Sequence, residues 1–458
     1  MTSVSDPTGR GPKREGEMKF VNLKGSLING RRLRPAALVA VTLLPLLVAA
    51  QGAQAGFPGS NGVIAYGSSL TGCSPNCVSG DTEIWATSET ESGWRAVRLT
   101  TNFAVDEQPA VSPNGKEIAF QSTRNNNEFP NPGRDRELYV MDAKDDDGDG
   151  QGDNLRRLTD NAVPDTNVAW SPDGKKLAFR STTQSVEIYV IDADGSVAED
   201  GSELPPEIVL PRPPDTVIVA HPVFSPDGEW IVFVGGYGRV NSSVGPSGAN
   251  PPVTDLDLFI TRADGSGPVT KLTNTPASTA DAPTLFPGLE YWFFPGETHP
   301  DFSPDGTKLA FMSNRDYDGD GLEDDTDIYV MNVLSVGLDG SVRVTPESPS
   351  NVPVNLTDSM IDVDPISGYP VLDPITHEPT RTNERWPAWS PDGTQIAVWS
   401  GTGLAANLAQ RPGIWSVDAD AQTDSAGPEP GAPVRIVDPS INPVPSWPDW
   451  GPAPTKPN

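Results

Sequence analysis

Five times in this chain a tight-turn tetrapeptide is followed at once by a short apolar strand. The turns are Ser112-Pro-Asn-Gly115, Ser171-Pro-Asp-Gly174, Ser225-Pro-Asp-Gly228, Ser303-Pro-Asp-Gly306 and Ser390-Pro-Asp-Gly393. The strands that follow are KEIAF from Lys116, KKLAF from Lys175, EWIVF from Glu229, TKLAF from Thr307 and TQIAV from Thr394. Proline fixes one φ angle and glycine accepts a positive one, so each copy reads as a hairpin. Its first strand ends on an apolar residue in Trp170, Phe224, Phe302 and Trp389. A third strand follows in EIWAT from Glu83, ELYVM from Glu137, EIYVI from Glu187, DLFIT from Asp257, DIYVM from Asp327 and GIWSV from Gly413. A short fourth ends at Thr100, Thr159 and Thr273. A four-stranded sheet cannot bury both of its faces alone, and radial stacking of such sheets buries them.

The two ends of the array predict a closed ring. The apolar strand GVIAY from Gly62 has no first strand before it, and Ser446-Trp-Pro-Asp-Trp450-Gly451 resembles the first strand Arg385-Trp-Pro-Ala-Trp389-Ser390. Residues 446–450 are therefore expected to supply the innermost strand of blade one. The predicted fold is all-β, a six-bladed propeller with four antiparallel strands per blade. The segment from Glu137 to Phe179 (ELYVMDA, NLRRLTDN, NVAWSPDGKKLAF) resembles the TolB-type propeller repeat, a relative of the tryptophan-aspartate repeats. The resemblance covers residues 57–451. It implies a six-bladed propeller in a periplasmic or secreted protein that docks partners at its central channel.

Composition agrees with many short strands joined by turns, since 49 Pro and 44 Gly in 458 residues are too many for a mainly helical chain. The net charge of −30 repels phosphate backbones and argues against nucleic acid as a partner. Arg31, Arg32 and Arg34 precede an apolar run from Ala36 to Ala50, and Ala53-Gln-Ala55 then offers a small-residue cleavage pattern. Residues 1–55 read as an export signal, with Met18 as an alternative start, residues 56–451 as the propeller and 452–458 as a tail. The apolar run, broken by Pro45, is shorter than a bilayer span, so no stable membrane insertion is expected after cleavage. In an oxidising compartment Cys73 and Cys77, the only two cysteines, are expected to form a short-loop disulfide.

Long insertions at 67–82, 122–135, 235–255, 274–298 and 357–385 fall on the face opposite the Ser-Pro-Asp-Gly turns, where repeat arrays carry their binding surfaces. One holds Phe286, Tyr291, Trp292, Phe293 and Phe294, either a stacking platform for sugars and protein partners or a small core under its own loop. The innermost strands begin at the channel mouth, where the repeat alignment places Gln108, Asn167, His221, His299, Trp386 and Trp447 as candidate ligand-binding residues. His221 and His299 sit in the matching phrases His-Pro-Val-Phe-Ser and His-Pro-Asp-Phe-Ser. Two readings stand: the imidazoles grip a metal or an acidic ligand, or each ties one blade to the next.

Two loops share one acid spacing. Asp145, Asp147, Asp149 and Asp153, and Asp316, Asp318, Asp320 and Asp324, stand at positions one, three, five and nine with glycine at six. This resembles calcium loops of the EF-hand and thrombospondin type, with Gln151 and Leu322 giving backbone carbonyls and Asp327 standing at position twelve of the second loop. Arg156 stands at twelve in the first and weakens it. Bound Ca2+ would be structural, relieving the repulsion among the carboxylates. The alternative is a pair of solvated acidic loops.

The sequence holds no Gly-x-Ser-x-Gly elbow and no His-Glu-x-x-His motif, and its only histidines are His221, His299 and His377. With few residues after the last strand, no hydrolase domain of the prolyl-oligopeptidase kind is expected. The leading expectation is an exported, noncatalytic scaffold that binds a protein, peptide or glycan outside the cytoplasm. The rival is a propeller lyase or hydrolase with a metal-assisted site at the channel mouth.

Overall fold

The computed structural model describes residues 57–69, 82–91, 93–148, 151–182, 186–195, 208–238, 253–274, 296–315, 326–336, 342–357, 383–401, 413–419, 434–437 and 445–454. Among them there are six four-stranded antiparallel sheets and one small two-stranded sheet, with no helix. The order within each sheet runs innermost to outermost. Blade one comprises Pro445–Pro452, Asn61–Ser69, Thr82–Thr90 and Gly93–Arg98, and blade two Asp106–Val111, Glu117–Ser122, Glu137–Asp142 and Arg156–Arg157. Blade three is Thr166–Trp170, Lys176–Ser181, Glu187–Asp192 and Ile208–Val209. Blade four is Thr216–Phe224, Trp230–Gly238, Val253–Arg262 and Thr270–Lys271. Blade five uses Glu297–Phe302, Lys308–Ser313, Asp327–Asn332 and Val354–Asn355, and blade six Asn383–Trp389, Gln395–Gly401, Gly413–Asp418 and Val434–Val437.

The turn chemistry explains the hairpins. In all five Ser-Pro-Asp/Asn-Gly turns the glycine has φ between 67° and 73°. In each, the serine hydroxyl accepts the amide five residues on, at 2.9 Å in blades two, three, five and six and 3.0 Å in blade four. That bond fixes the register of the strand that follows. In the second strands, successive residues face opposite neighbours: Ile118 and Phe120 pack toward blade one, Ala119 toward blade three. Both faces of every sheet are thus covered, which is why these strands read as runs of apolar residues rather than as an apolar–polar alternation. The core is divided into six clusters, one between each pair of adjacent blades.

The ring closes as the repeated ends require. Innermost strands touch in the order blade one, two, three, four, five, six and back to one. Ile64 pairs with Trp450 and Ala65 with Asp449, so the C-terminal strand is zipped to the first described strand. The strand extends to Pro445–Pro452, slightly beyond residues 446–450. The N-terminal segment adds a second tie: Gly59 N donates to Pro391 O at 3.0 Å, and Asn61 Nδ2 to Asp392 Oδ2 at 3.1 Å.

A buried carboxylate also repeats at the head of the third strand. Glu83, Glu137, Asp257 and Asp327 each accept a hydrogen bond from the threonine two residues past the fourth strand, Thr100, Thr159, Thr273 and Thr357. The same hydroxyls accept the next amide of the third strand at 2.9–3.0 Å. Asp327, which the spacing of the second acidic loop offers to calcium, therefore occupies a blade position: it is buried and also bonded to Asn355 Nδ2 at 3.0 Å. Burial raises Glu83 to about 7 and Glu137 to about 8, despite their threonine bonds.

Candidate functional site

The six residues that alignment places at the channel mouth come together there, one per blade, on the wall of a central cavity of about 160 Å³. What puts them there is backbone geometry. Gln108, Asn167, His221, His299, Trp386 and Trp447 all have φ between 49° and 57°, a left-handed conformation that costs non-glycine residues on the order of 1 kcal/mol or more. In each innermost strand the pairing with the second strand slips at this residue and the one after it, the signature of a β-bulge. In five of the six strands the residue after is proline (Pro109, Pro222, Pro300, Pro387 and Pro448), which lacks the amide a regular ladder would use. The bulge turns the half-buried side chain toward the axis.

Around the mouth the side chains lean on one another. Asn167 Nδ2 donates to Gln108 Oε1 at 2.8 Å, and His221 N donates to Asn167 Oδ1 at 3.5 Å. The His221 and His299 rings lie 3.7 Å apart, His299 meets Trp386 edge-on at 6.3 Å, and Trp386 lies 5.1 Å from Trp447. Behind them, Gln121 accepts Asn167 N at 3.1 Å and donates to Glu107, which Arg136 holds at 2.6 Å. Burial lowers His221 to about 3, helped by the Arg180 charge; burial, His221 and Arg385 push His299 well below its usual value. Both imidazoles are neutral at physiological pH.

Two carboxylates deeper in the channel escaped the sequence reading. Asp301 and Asp449 stand two residues after His299 and Trp447, where the other blades hold Ala110, Ala169, Val223 and Ala388. Each reaches the next blade: Asp301 Oδ2 accepts Trp389 N at 2.7 Å and Asp449 Oδ2 accepts Val111 N at 2.6 Å. Burial raises Asp301 to about 8, with the Asp449 charge adding to it, and raises Asp449 to about 6. Only the alignment of the repeats against these alanines and valine could have flagged them. Phe57 lines the channel as well and packs against the cluster between blades two and three.

The cavity of about 160 Å³ beneath the ring is small beside the roughly 300–1,000 Å³ typical of pockets that enclose an organic ligand.

Elsewhere, Asp145, Asp147 and Asp153 of the first acidic loop bring one carboxylate oxygen each to within 4.8 Å of one another, and Gln151 lies in the same loop. Arg156, at position twelve, turns away to Glu117 at 2.9 Å. Asp149, the residues Asp316, Asp318, Asp320, Leu322 and Asp324 of the second loop, Cys73 and Cys77, the aromatic insertion and the export signal lie outside the described residues. Of the long insertions on the mouth face, 122–135 is described throughout: Phe129 packs edge-on against Tyr139 at 5.4 Å and Arg124 pairs with buried Asp106 at 2.9 Å.

Strand order and the bulged mouth define the class: a closed six-bladed β-propeller. Among solved structures the chain is similar to TolB from Acinetobacter baumannii, at 17% identity and a TM-score of 0.46, covering 88% of this chain and 69% of that one. It is also similar to the periplasmic gluconolactonase PpgL of Pseudomonas aeruginosa (14%, TM-score 0.37, covering 85% of this chain and 98% of that one). A third likeness is to a puromycin-hydrolyzing peptidase of Mycobacterium tuberculosis (13%, TM-score 0.34, covering 77% and 53%). No family model and no curated protein matches the chain. At these identities the likeness is one of fold, and the blade count rests on the strand pairing described above.

Proposed function

We propose that this protein is an exported, noncatalytic scaffold that engages a protein, peptide or glycan outside the cytoplasm through the face around the channel mouth. The observation that carries this reading is the ring itself: six side chains, one per blade, held in strained backbone conformations around one central cavity. Strain of this kind persists where the surrounding structure enforces it, and it concentrates at functional sites. The half-buried rim of imidazole, indole and amide groups offers stacking surface and hydrogen bonds to a partner lying across it. Capture from an envelope fraction, run beside a glycan array, tests the reading. Wild-type protein is expected to retain a specific partner that the His221→Ala/His299→Ala variant binds at least tenfold more weakly. Equal capture by both would remove the ring from the interface.

The pairing of two neutral imidazoles also supports the rival reading, a lyase or hydrolase, because neutral imidazole is the form that ligates metals. The same double variant separates the two: a turnover abolished while partner binding is intact would favour the enzyme.

Calcium belongs to the proposal as a structural ion in the acidic loops, supported by the convergence of Asp145, Asp147 and Asp153. At a calcium concentration about 100-fold above Kd, binding to the folded state alone adds about 3 kcal/mol of stability. EDTA is expected to lower the melting temperature, and re-added Ca2+ to restore it. An unchanged melt, with no calcium retained after dialysis, would discard the ion.

A further inference from the structure

On the mouth side of the propeller, four arginines are matched by acids. Arg98 meets Glu83 at 2.7 Å, Arg124 meets Asp106 at 2.9 Å, Arg136 meets Glu107 at 2.6 Å and Arg315 meets Glu297 at 3.1 Å. Arg180 has no such acid among the described residues. It is half-buried at the upper end of the second strand of blade three, and its Nε is buried with no hydrogen-bond partner among the described residues. Its charge acts on His221, at the mouth.

Comparison of adjacent blades shows what has changed. In blade two the equivalent residue is Gln121, whose side chain donates to Glu107 and accepts the amide of Asn167 in the next blade. In blade three the cross-strand neighbour is Thr166, where blade two has the acid Glu107. The Thr166 Oγ1 is likewise buried without a partner. Arginine has no acceptor to give the next blade, so His221 N turns to Asn167 Oδ1 at the long distance of 3.5 Å. Relative to blade two, a cation thus replaces a neutral amide and the supporting acid is gone as well, in a chain of 62 acidic and 32 basic residues. An uncompensated guanidinium at a half-buried site is costly unless an anion joins it.

We infer that the mouth carries an anion subsite between blades three and four, in which the Arg180 guanidinium, with the Thr166 hydroxyl beside it, binds a carboxylate of the partner. The inference rests on the scaffold reading and narrows it to acidic ligands. A planar guanidinium suits a carboxylate through paired N–H donors. Neutral His221 can donate one further N–H. The carboxylate could belong to a peptide terminus or to a uronic acid, and the test has an arm for each.

The probes are N-acetylalanine against its amide, and glucuronate against glucose, titrated into full-length protein with binding read by calorimetry. At least one acid is expected to bind saturably, and its neutral counterpart is not. Response to N-acetylalanine alone identifies a peptide carboxylate, response to glucuronate alone a sugar acid, and response to both a site that reads the carboxylate only. Arg180→Gln, which restores the residue of blade two, is expected to weaken the acid at least tenfold while raising the melting temperature of the ligand-free protein. Arg180→Lys keeps the charge without the fork and is expected to retain part of the response, which guards against a folding defect in the first variant. Equal response to acid and neutral probes, no response to either acid, or acid binding within twofold of wild type in Arg180→Gln would overturn the inference. Partner capture from the envelope is read separately, so failure of this subsite is distinguishable from failure of the scaffold reading.

Discussion

Replacing Trp450 by alanine is expected to destabilise the propeller by about 3–5 kcal/mol, among the largest effects a single side chain can give here. Trp450 is 3% exposed in the C-terminal strand and lies in the cluster that joins blade six to blade one, with Ile64, Tyr66, Ala388, Ala397 and Ile414. Its ring meets Trp94 edge-on at 6.1 Å. No covalent chain holds this strand in blade one, so side-chain burial and the ladder to residues 61–69 hold the ring shut. The indole Nε1 has no hydrogen-bond partner among the described residues, unlike that of Trp170, which donates to Ala110 O at 2.9 Å. Trp450→Phe therefore gives up packing but no hydrogen bond, and its cost should fall below half that of the alanine variant. Urea denaturation of the three proteins checks this. Equal midpoints for wild type and Trp450→Ala would mean that the seam contributes little to closure.

Between about pH 5 and pH 8 the wild-type protein is expected to lose stability, and Asp301→Asn to remove part of that loss. The sign follows from proton binding. Asp301, Glu137 and Glu83 have folded pKa values near 8, 8 and 7, and Asp449 one near 6, all above the values near 4 of the unfolded chain. In that range the folded state holds protons that the unfolded state has released. The stability these groups contribute is complete below about pH 4 and is lost as pH rises through 6 to 8. His221 and His299 act in the opposite sense, since their folded values lie below 6.5, and they cost stability only as pH falls below that value. Asparagine can still accept the Trp389 amide but cannot titrate. The stability of Asp301→Asn relative to wild type should therefore grow by up to about 1.4 kcal/mol per pH unit between 5 and 8. A difference that stays constant across this range would show that Asp301 ionises normally in the channel.

The blade count was legible because its signals are local and repeated. A Ser-Pro-Asp-Gly turn sets a hairpin wherever it occurs, and the likeness of residues 446–451 to 385–390 supplied the missing strand. The ring positions followed from that alignment, but their conformation did not. A residue before proline normally favours extended backbone, whereas here five such residues adopt positive φ because a bulge in the sheet enforces it. Asp327 shows a different limit. It stands at the twelfth position of an acidic loop and also heads a third strand, and of the two its bonds to Thr357 and Asn355 show the blade position. Asp301, Asp449 and Arg180 were hidden by their surroundings: a charged residue within an apolar strand gives no sign of which way it points until the bulge and the neighbouring blade are known.

Closure of the ring carries all of these assignments, and a disulfide tests it directly. Gly67 and Ser446 are Cα partners across the seam, and a Cβ built on Gly67 lies 3.4 Å from the Ser446 hydroxyl. In a background with Cys73 and Cys77 changed to serine, Gly67→Cys/Ser446→Cys should oxidise readily to a 67–446 cross-link, found by mass spectrometry, in protein that melts at a higher temperature than its reduced form. Two thiols that stay reduced in folded protein, or that link only between molecules, would mean that the last strand does not lie beside the first.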